Sequence, residues 1–341
     1  MCIRDRAITI TSVGVLYSRV LAESGIKYAI DNNTSGILLN HQLFVQDHPL
    51  GPKDYQSLDQ LVTRNTNAHL AWLSNDMVRY GQSEEMAFVF NREDSLPLQD
   101  IPAAYLFFRE DLQGHSSLLE GRWPKEPFLS DGILQLEAIL GNETSNFLQW
   151  ELGKTIFLVP FADAQEDKVA VTIVGIAHPT DPTEDYWFSD LSEFRVNFDA
   201  EEEDADFVVP MYIGESNFFD GIGKDYPMLL AQYRWYTFLR YNTLNALTAI
   251  QARDSLVNLE SDINQGLPRA LALTSLGNLV DTYERQLSLA KVLLFLFVAL
   301  AIGVVLYYVI LLAIMLARER GAEAAILRSR GASGRQPGAL V

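Results

Sequence analysis

The Gly-Lys-Thr triplet at residues 153–155 comes closest to a nucleotide-binding motif in this sequence. A phosphate-binding loop needs another glycine five positions before Gly153, but that position holds Leu148. It also needs a following helix, because the N–H groups at a helix N-terminus bind phosphate. The run TIFLV at residues 155–159 predicts a strand instead. We therefore predict that this chain binds neither nucleotide nor any other cofactor.

The histidines and acidic residues lack the spacing of a metal site. No two of the five histidines lie at i, i+4 around a glutamate, as in a zinc protease. His41 and His48 share a stretch that we interpret as a loop. The acidic run within residues 199–206 lacks the glycine-containing twelve-residue loop of a calcium site, so we interpret it as a solvated loop between strands.

Nothing in the sequence indicates an enzyme. There is no Gly-x-Ser-x-Gly elbow, and no Ser/His/Asp set can be singled out. We interpret Trp123, Trp187 and Trp235 as core residues. The single cysteine, Cys2, cannot form an internal disulfide, so any part outside the cytoplasm must be held together by packing.

Charge is unevenly distributed along the 341 residues. The formal net charge is −18, which argues against nucleic-acid binding because that requires basic groups. Residues 22–291 hold 18 basic and 41 acidic side chains, whereas residues 318–341 hold five arginines and two glutamates. The two regions are separated by residues 292–317, which carry no charge.

This uncharged segment predicts a transmembrane helix. At about 1.5 Å per residue it is about 39 Å long, and a bilayer core is about 30 Å thick. A core helix of a soluble protein is shorter and has a polar stripe. Tyr307 and Tyr308 lie within the span, where we expect them to face a neighbouring helix. The arginines that follow predict cytoplasmic residues 318–341 and an acidic region outside.

The N-terminus offers a shorter apolar run at residues 7–17, too short to span a bilayer. It is either the apolar region of a signal peptide or the outer end of a transmembrane helix. We favour the second, with a partial first transmembrane helix and its outward extension at residues 7–30. On this interpretation residues 1–6 are a non-native or trimmed start, and residues 337–341 are a truncated end.

Residues 31–268 predict an α+β domain outside the membrane. Pro210 indicates an edge or a bulge in its strand. Thr155–Val159 and Val169–Ile176 are expected to pair as a hairpin. The expected strands are Glu85–Asn91, Ala103–Phe108, Thr155–Val159, Val169–Ile176 and Phe207–Ile213, and the expected helices are Ile133–Leu140 and Asn242–Ile263.

A stalk helix is predicted between this domain and the membrane. Apolar residues from Ala270 to Lys291 recur at steps of three and four, which indicates an amphipathic helix. No proline follows Pro268 before the span. We therefore expect one rigid helix over residues 269–317 that includes the span.

The segment after the span predicts a short amphipathic helix within residues 318–336. Glycine at 331 is expected to end it as a C-cap. A plain basic membrane anchor would need neither Glu323 nor a Gly-Ala-Ser break. The segment fits the pattern R-x-x-E-x-x-x-L-R-x-x-G-A-S-x-x-Q at Arg320, Glu323, Leu327, Arg328, Gly331, Ala332, Ser333 and Gln336.

That pattern resembles the FtsX-like, MacB-type permeases of ABC transporters. Three further stretches look like landmarks of the external domain of this family: residues 120–124, 152–155 and 171–176. The resemblance covers nearly the whole chain. It departs from the family at Pro337 and Gly338, which replace apolar residues expected there.

The resemblance implies an α+β domain of the MacB-like periplasmic type, attached to transmembrane helices in a bacterial cell membrane. It implies a permease subunit that binds a separate ABC ATPase, which holds the ATP and Mg²⁺, and a second permease copy or half. ATP hydrolysis would move the external domain for export or mechanotransmission. The residues expected at the ATPase contact are Arg320, Glu323, Ile326, Leu327, Arg328, Arg330, Gly331 and Ala332.

Two alternatives stay open. The external sensor domain of a transmembrane signalling receptor would share the acidic domain, stalk helix and cytoplasmic extension, but would continue into a soluble signalling domain. A surface-anchored binding protein would end soon after the arginines and have no coupling helix. Further hydrophobic spans after Val341 in the parent gene would favour the permease.

Overall fold

The computed structural model describes residues 18–32, 36–96, 101–198 and 207–329, with the backbone alone at 319–329. The chain divides into two units. One comprises Met1–Gly25 and Asp281–Val341, and the other comprises Ile26–Val280.

Thirteen strands and seven α-helices are described. The strands are β1 (His41–Pro49), β2 (Ser74–Ser83), β3 (Met86–Val89), β4 (Ala103–Arg109), β5 (Ser116–Gly121), β6 (Phe128–Ser130), β7 (Ile133–Gly141), β8 (Thr155–Val159), β9 (Val169–Pro179), β10 (Asn197–Phe198), β11 (Phe207–Tyr212), β12 (Leu230–Leu239) and β13 (Leu271–Leu273). The helices are α1 (residues 18–31), α2 (Pro52–Leu70), α3 (Leu112–His115), α4 (Asn142–Leu148), α5 (Gly223–Asp225), α6 (Ala246–Gly266) and α7 (Leu276–Ser329).

The first and last strands of the Ile26–Val280 unit form a split βαβ arrangement. The units β1–α2–β2 and β12–α6–β13 build an antiparallel sheet in the order β2-β12-β1-β13, and α2 packs beside α6. This is the ferredoxin-like topology. Residues of α2 buried at helical spacing include Tyr55, Leu58 and Val62, which supply the apolar face that the sheet requires.

A second lobe is inserted between β2 and β12. Strands β4, β11, β7, β9, β8 and β3 each pair with the next, and β3 pairs back with β4, so the six form a closed ring. Strand β4 also pairs with β2 and therefore belongs to both lobes. The described fold is a mixed α/β domain with one long apolar C-terminal helix, consistent with the predicted α+β class.

All five predicted strands are confirmed. They correspond to β3, β4, β8, β9 and β11, and β8 pairs antiparallel with β9 as the predicted hairpin. Pro210 pairs with β4 on one side of β11. On the other side, β10 pairs at Val208 and β7 pairs at Tyr212, and neither pairs with Pro210. The missing N–H of Pro210 therefore falls at a local edge.

Two predictions within the domain are wrong. The expected helix Ile133–Leu140 is strand β7, which lies between β11 and β9. Its Leu, Gln, Glu and Ala favour a helix, but packing between two strands overrides that preference. His41 and His48 lie on β1, not in a loop, because β1 pairs with β12 along this stretch.

Two helix starts differ from the expectation. Helix α6 begins at Ala246, because the side chain of Asn245 caps it by accepting from the N–H groups of Leu247 and Thr248. The stalk helix begins at Leu276 and not near Ala270, because Leu271–Leu273 pair with β1 as strand β13.

The expected core tryptophans lie where predicted. Trp187 and Trp235 are fully buried, and Trp123 packs half-buried against the cluster around Trp187.

In the other unit, the side chain of Tyr283 on α7 contacts α1, where its hydroxyl donates to the carbonyl oxygen of Ala22.

Candidate membrane helix and coupling segment

Helix α7 exposes an apolar surface all around its predicted span. Phe295, Phe297 and Leu300 are each about 70% exposed, at 71%, 73% and 68%. No residue in its most apolar 18-residue window is buried within the chain. Removing such a side chain from water gains about 1.5–3 kcal/mol, so this surface requires an apolar environment.

Length and composition fit a membrane crossing. Among the described residues, α7 is the one helix long and apolar enough to span a membrane, over Leu276–Arg318. Tyr307 and Tyr308 contact each other edge to face and are both exposed. The first apolar run, residues 7–17, lies outside the part of the chain that the structure describes.

The predicted coupling residues divide between described and undescribed positions. Helix α7 continues from the apolar segment to Ser329 without a non-helical residue. Its backbone places Arg320, Glu323 and Leu327 on one face, because they follow each other at steps of three and four. Ile326 and Arg328 lie on the same helical segment, whereas Arg330, Gly331 and Ala332 fall outside the described residues.

The three stretches that resemble family landmarks, residues 120–124, 152–155 and 171–176, meet around strand β9. Gly121 pairs with Gly175 across the β5–β9 ladder. The N–H of Gly153 donates to Ile173 O over 2.8 Å, and the N–H of Ile173 donates to Lys154 O over 2.8 Å. The hydroxyls of Thr155 and Thr172 are 2.8 Å apart. Stretches that are separate in the sequence thus form one structural cluster.

Glycine is required where β5 pairs with β9 at Gly121 and Gly175. A β-carbon on Gly121 would lie 2.1 Å from the carbonyl oxygen of Val174, and one on Gly175 would lie 2.6 Å from Arg122 O. Gly121 also has a φ of +81°, which few other residues adopt. The backbones approach so closely that side chains cannot fit between them.

Charged groups hold the same cluster in place. Arg122 forms a two-pronged ion pair with Glu137 on β7, and the N–H of Lys125 donates to Glu137 Oε2 over 2.8 Å. The hydrogen bonds from Arg122 lower the pKa of the Glu137 carboxyl. Lys154 Nζ lies 4.5 Å from the centre of the Phe90 ring, so its charge packs on an aromatic face.

The histidines are dispersed through the domain. His41 is buried, His69 bonds Asp262 over 2.8 Å, and His115 bonds Glu184 over 2.9 Å. Within the described ranges, no three His, Cys, Asp or Glu side chains are grouped as metal ligands. The acidic run lies in residues 199–206, which the structure does not describe.

Sequence reasoning missed a buried ion pair at the centre of the domain. Arg109 Nη1 donates to Glu193 Oε1 over 2.8 Å, and Arg109 Nη2 donates to the carbonyl oxygen of Tyr186. The guanidinium carbon also lies 4.6 Å from the Tyr186 ring centre. These residues are more than 70 positions apart, so no spacing rule could have found them.

An acidic cavity of about 450 Å³ was also missed. It is lined by Asp76, Asp111, Glu184 and the ring of Tyr186, among others. His115 stacks on that ring with centroids 3.7 Å apart. The Glu184 carboxylate accepts a hydrogen bond from His115 Nδ1 over 2.9 Å, so part of the acidic lining is already engaged.

Comparison of the chain with protein-family models gives no match, and comparison with curated proteins gives none either.

Proposed function

We propose that this chain is a permease subunit of an ABC transporter, of the FtsX-like, MacB-type group. It passes the work of ATP hydrolysis on a separate ATPase subunit to its domain outside a bacterial cell membrane. The product of that movement is export of a substrate or transmission of force to a partner. The chain itself binds no nucleotide and catalyses no reaction.

One observation carries the proposal: the apolar segment and the Arg-x-x-Glu-x-x-x-Leu-Arg segment lie on a single helix, α7. A continuous helix transmits a displacement along its axis, whereas a flexible linker would absorb it. The convergence of the three external landmarks on β9 gives independent support, because stretches chosen by resemblance form one cluster.

The membrane orientation follows from the charges on either side of the span. Residues 318–341, with five arginines, face the cytoplasm, and the acidic domain faces outwards. Tyr307 and Tyr308 place hydroxyls near the middle of the hydrocarbon layer, where unpaired polar groups are costly. These hydroxyls need acceptors on another membrane helix, which a second permease copy or half supplies.

The ATPase binds the last turns of α7 and the residues that follow. Leu327 and Ile326 fill an apolar groove on the ATPase, and Glu323 with the arginines at 320, 328 and 330 surround that contact with charge-assisted hydrogen bonds. Gly331 and Ala332 belong to the same proposed contact with the ATPase. Buried apolar anchors of this type carry most of the binding energy in interfaces.

Changing Leu327 to Asp tests this directly in the full-length protein with its ATPase. The variant should lose co-purification of the ATPase and ATP turnover in the complex, because a carboxylate in an apolar groove is not solvated. Ser329→Asp is the matched control, because residue 329 lies on the opposite side of the helix from Leu327. Unchanged recruitment and turnover in Leu327→Asp would refute the coupling assignment.

A further inference from the structure

Tyr283 on α7 is fitted against α1 by two contacts. Its hydroxyl donates to the carbonyl oxygen of Ala22 over 2.9 Å. Its ring edge lies 3.2 Å from the point where a β-carbon on Gly25 would stand. With 3% of its surface exposed, Tyr283 is buried between the helices. Gly25 therefore leaves the space that the ring occupies, and Ala22 supplies the acceptor that the buried hydroxyl needs.

The burial pattern of both helices extends beyond this contact. On α7, Leu287, Ala290 and Leu294 follow Tyr283 at steps of four, three and four and are half-buried between exposed neighbours. On α1, Ser18, Ala22 and Gly25 are half-buried at steps of four and three. This three–four spacing is that of a coiled-coil seam, with small residues on α1 and larger ones on α7.

We infer that Tyr283 is a positioning residue that locks α1 to α7 so that the two helices move as one body. Helix α1 precedes β1 and α7 follows β13. The locked pair is therefore joined to the domain at two points along the chain. A displacement carried by α7 then reaches the domain through both. The lock itself follows from the contacts, whereas its role in transmission rests on the proposed function.

The distance between the two helices tests the lock. Spin labels at the exposed positions Arg19 and Gln286, in full-length protein with Cys2→Ser, should give one narrow distance distribution. Tyr283→Ala removes the ring, and Gly25→Leu fills its space, so both should lose the narrow distribution. Tyr283→Phe keeps the ring and should retain it. A narrow distribution in both Tyr283→Ala and Gly25→Leu would overturn the lock.

Ser24→Leu is the matched control. Ser24 is the exposed neighbour of Gly25, so this variant adds the same side chain to the same helix. It should keep the narrow distribution. Fluorescence of the buried Trp187 and Trp235 reports whether each variant keeps its folded domain. A broadened distribution in Ser24→Leu with the domain intact would also contradict the lock, because the effect would not depend on the space beside Tyr283.

A second measurement separates the lock from its role. A fluorophore at the exposed residue 57 on α2, in the complex with the ATPase, should respond to ATP. That response should be lost in Tyr283→Ala and retained in Ser24→Leu. Broadened distances with an unchanged response would overturn the role in transmission and leave the lock standing. A failure of the Leu327→Asp test would instead remove the proposed function without altering the distance result.

Discussion

Arg109 and Glu193 show how single residues determine the stability of the α/β domain. Both side chains are buried, and two of their polar atoms, Arg109 Nε and Glu193 Oε2, have no partner within the described residues. Burial raises the pKa of Glu193, an effect that the neighbouring Arg109 opposes. Each side chain is therefore held by its ion-pair partner and by the surrounding aromatic rings more than by a complete set of hydrogen bonds.

Breaking this pair should cost more than replacing it. Glu193→Ala leaves the charge of Arg109 buried and unpaired, so the free energy of unfolding should fall by about 3–5 kcal/mol. The double variant Arg109→Met, Glu193→Leu should recover much of that loss, because an apolar pair needs no charge partner. Denaturant unfolding followed by tryptophan fluorescence measures both. An unchanged stability in the single variant would contradict this account.

His41 makes the stability of the domain depend on pH. Burial lowers its pKa from 6.5 to about 4. The unfolded chain therefore binds a proton more tightly than the folded chain does between these pH values. The stability that the neutral imidazole provides is complete above pH 6.5 and is lost as the pH falls towards 4. The difference is about 3 kcal/mol.

The measurement is the free energy of unfolding between pH 7 and pH 4 in the wild type and in His41→Leu. The wild type should lose stability more steeply, because only it gains a proton at this site on unfolding. Equal slopes in the wild type and His41→Leu would show that the imidazole does not titrate as the burial requires.

At the scale of elements, close backbone contacts determine how β5 pairs with β9. Gly121 and Gly132 both have positive φ, at +81° and +75°. Only Gly121 has an atom in the way of a β-carbon, since nothing lies within 4 Å of that position at Gly132. The two glycines therefore separate backbone strain from steric clash.

Gly121→Ala should destabilise the domain more than Gly132→Ala does. Strain alone costs about 1–3 kcal/mol at a positive φ, and both variants bear it. Gly121→Ala must also displace the β5 or β9 backbone, because the added carbon would lie 2.1 Å from Val174 O. Thermal unfolding of both variants measures the difference. Equal losses would mean that the strands adjust without cost.

The sequence pattern predicted elements that are defined locally. Thr155–Val159 is an isolated apolar run rich in β-formers, and it is a strand with the predicted bounds. Ile133–Leu140 failed because its composition favours a helix while its neighbours in space, β11 and β9, do not appear in the local pattern. Strand β13 was missed for the same reason, since only its pairing with β1 distinguishes it from a helix start.

The candidate site could be predicted where it consists of residues that are consecutive in the sequence. The apolar span and the arginine pattern could be read directly from the chain. The lock at Tyr283 joins residues 261 positions apart, so no local sequence pattern could have indicated it.

At the scale of the whole molecule, the account depends on α7 crossing a bilayer with the acidic domain outside. Its exposed apolar surface should keep the full-length chain in the membrane fraction after alkaline carbonate washing, which removes proteins held by charge alone. The 341-residue chain with Leu300 and Val304 changed to Asp should be released, because α7 is the one candidate span among its described residues and charges in the hydrocarbon core are costly. Release of the wild type would show that α7 is not embedded.

Labelling of single cysteines from either side of the membrane tests the central claim most directly. In intact spheroplasts expressing the full-length protein with Cys2→Ser, a membrane-impermeant maleimide should react with a cysteine at residue 57, which is exposed in the external domain. A cysteine at residue 329, at the end of α7, should react only after the membrane is permeabilised. Labelling of residue 329 in intact spheroplasts, or protection of residue 57, would contradict the proposed orientation and with it the coupling to a cytoplasmic ATPase.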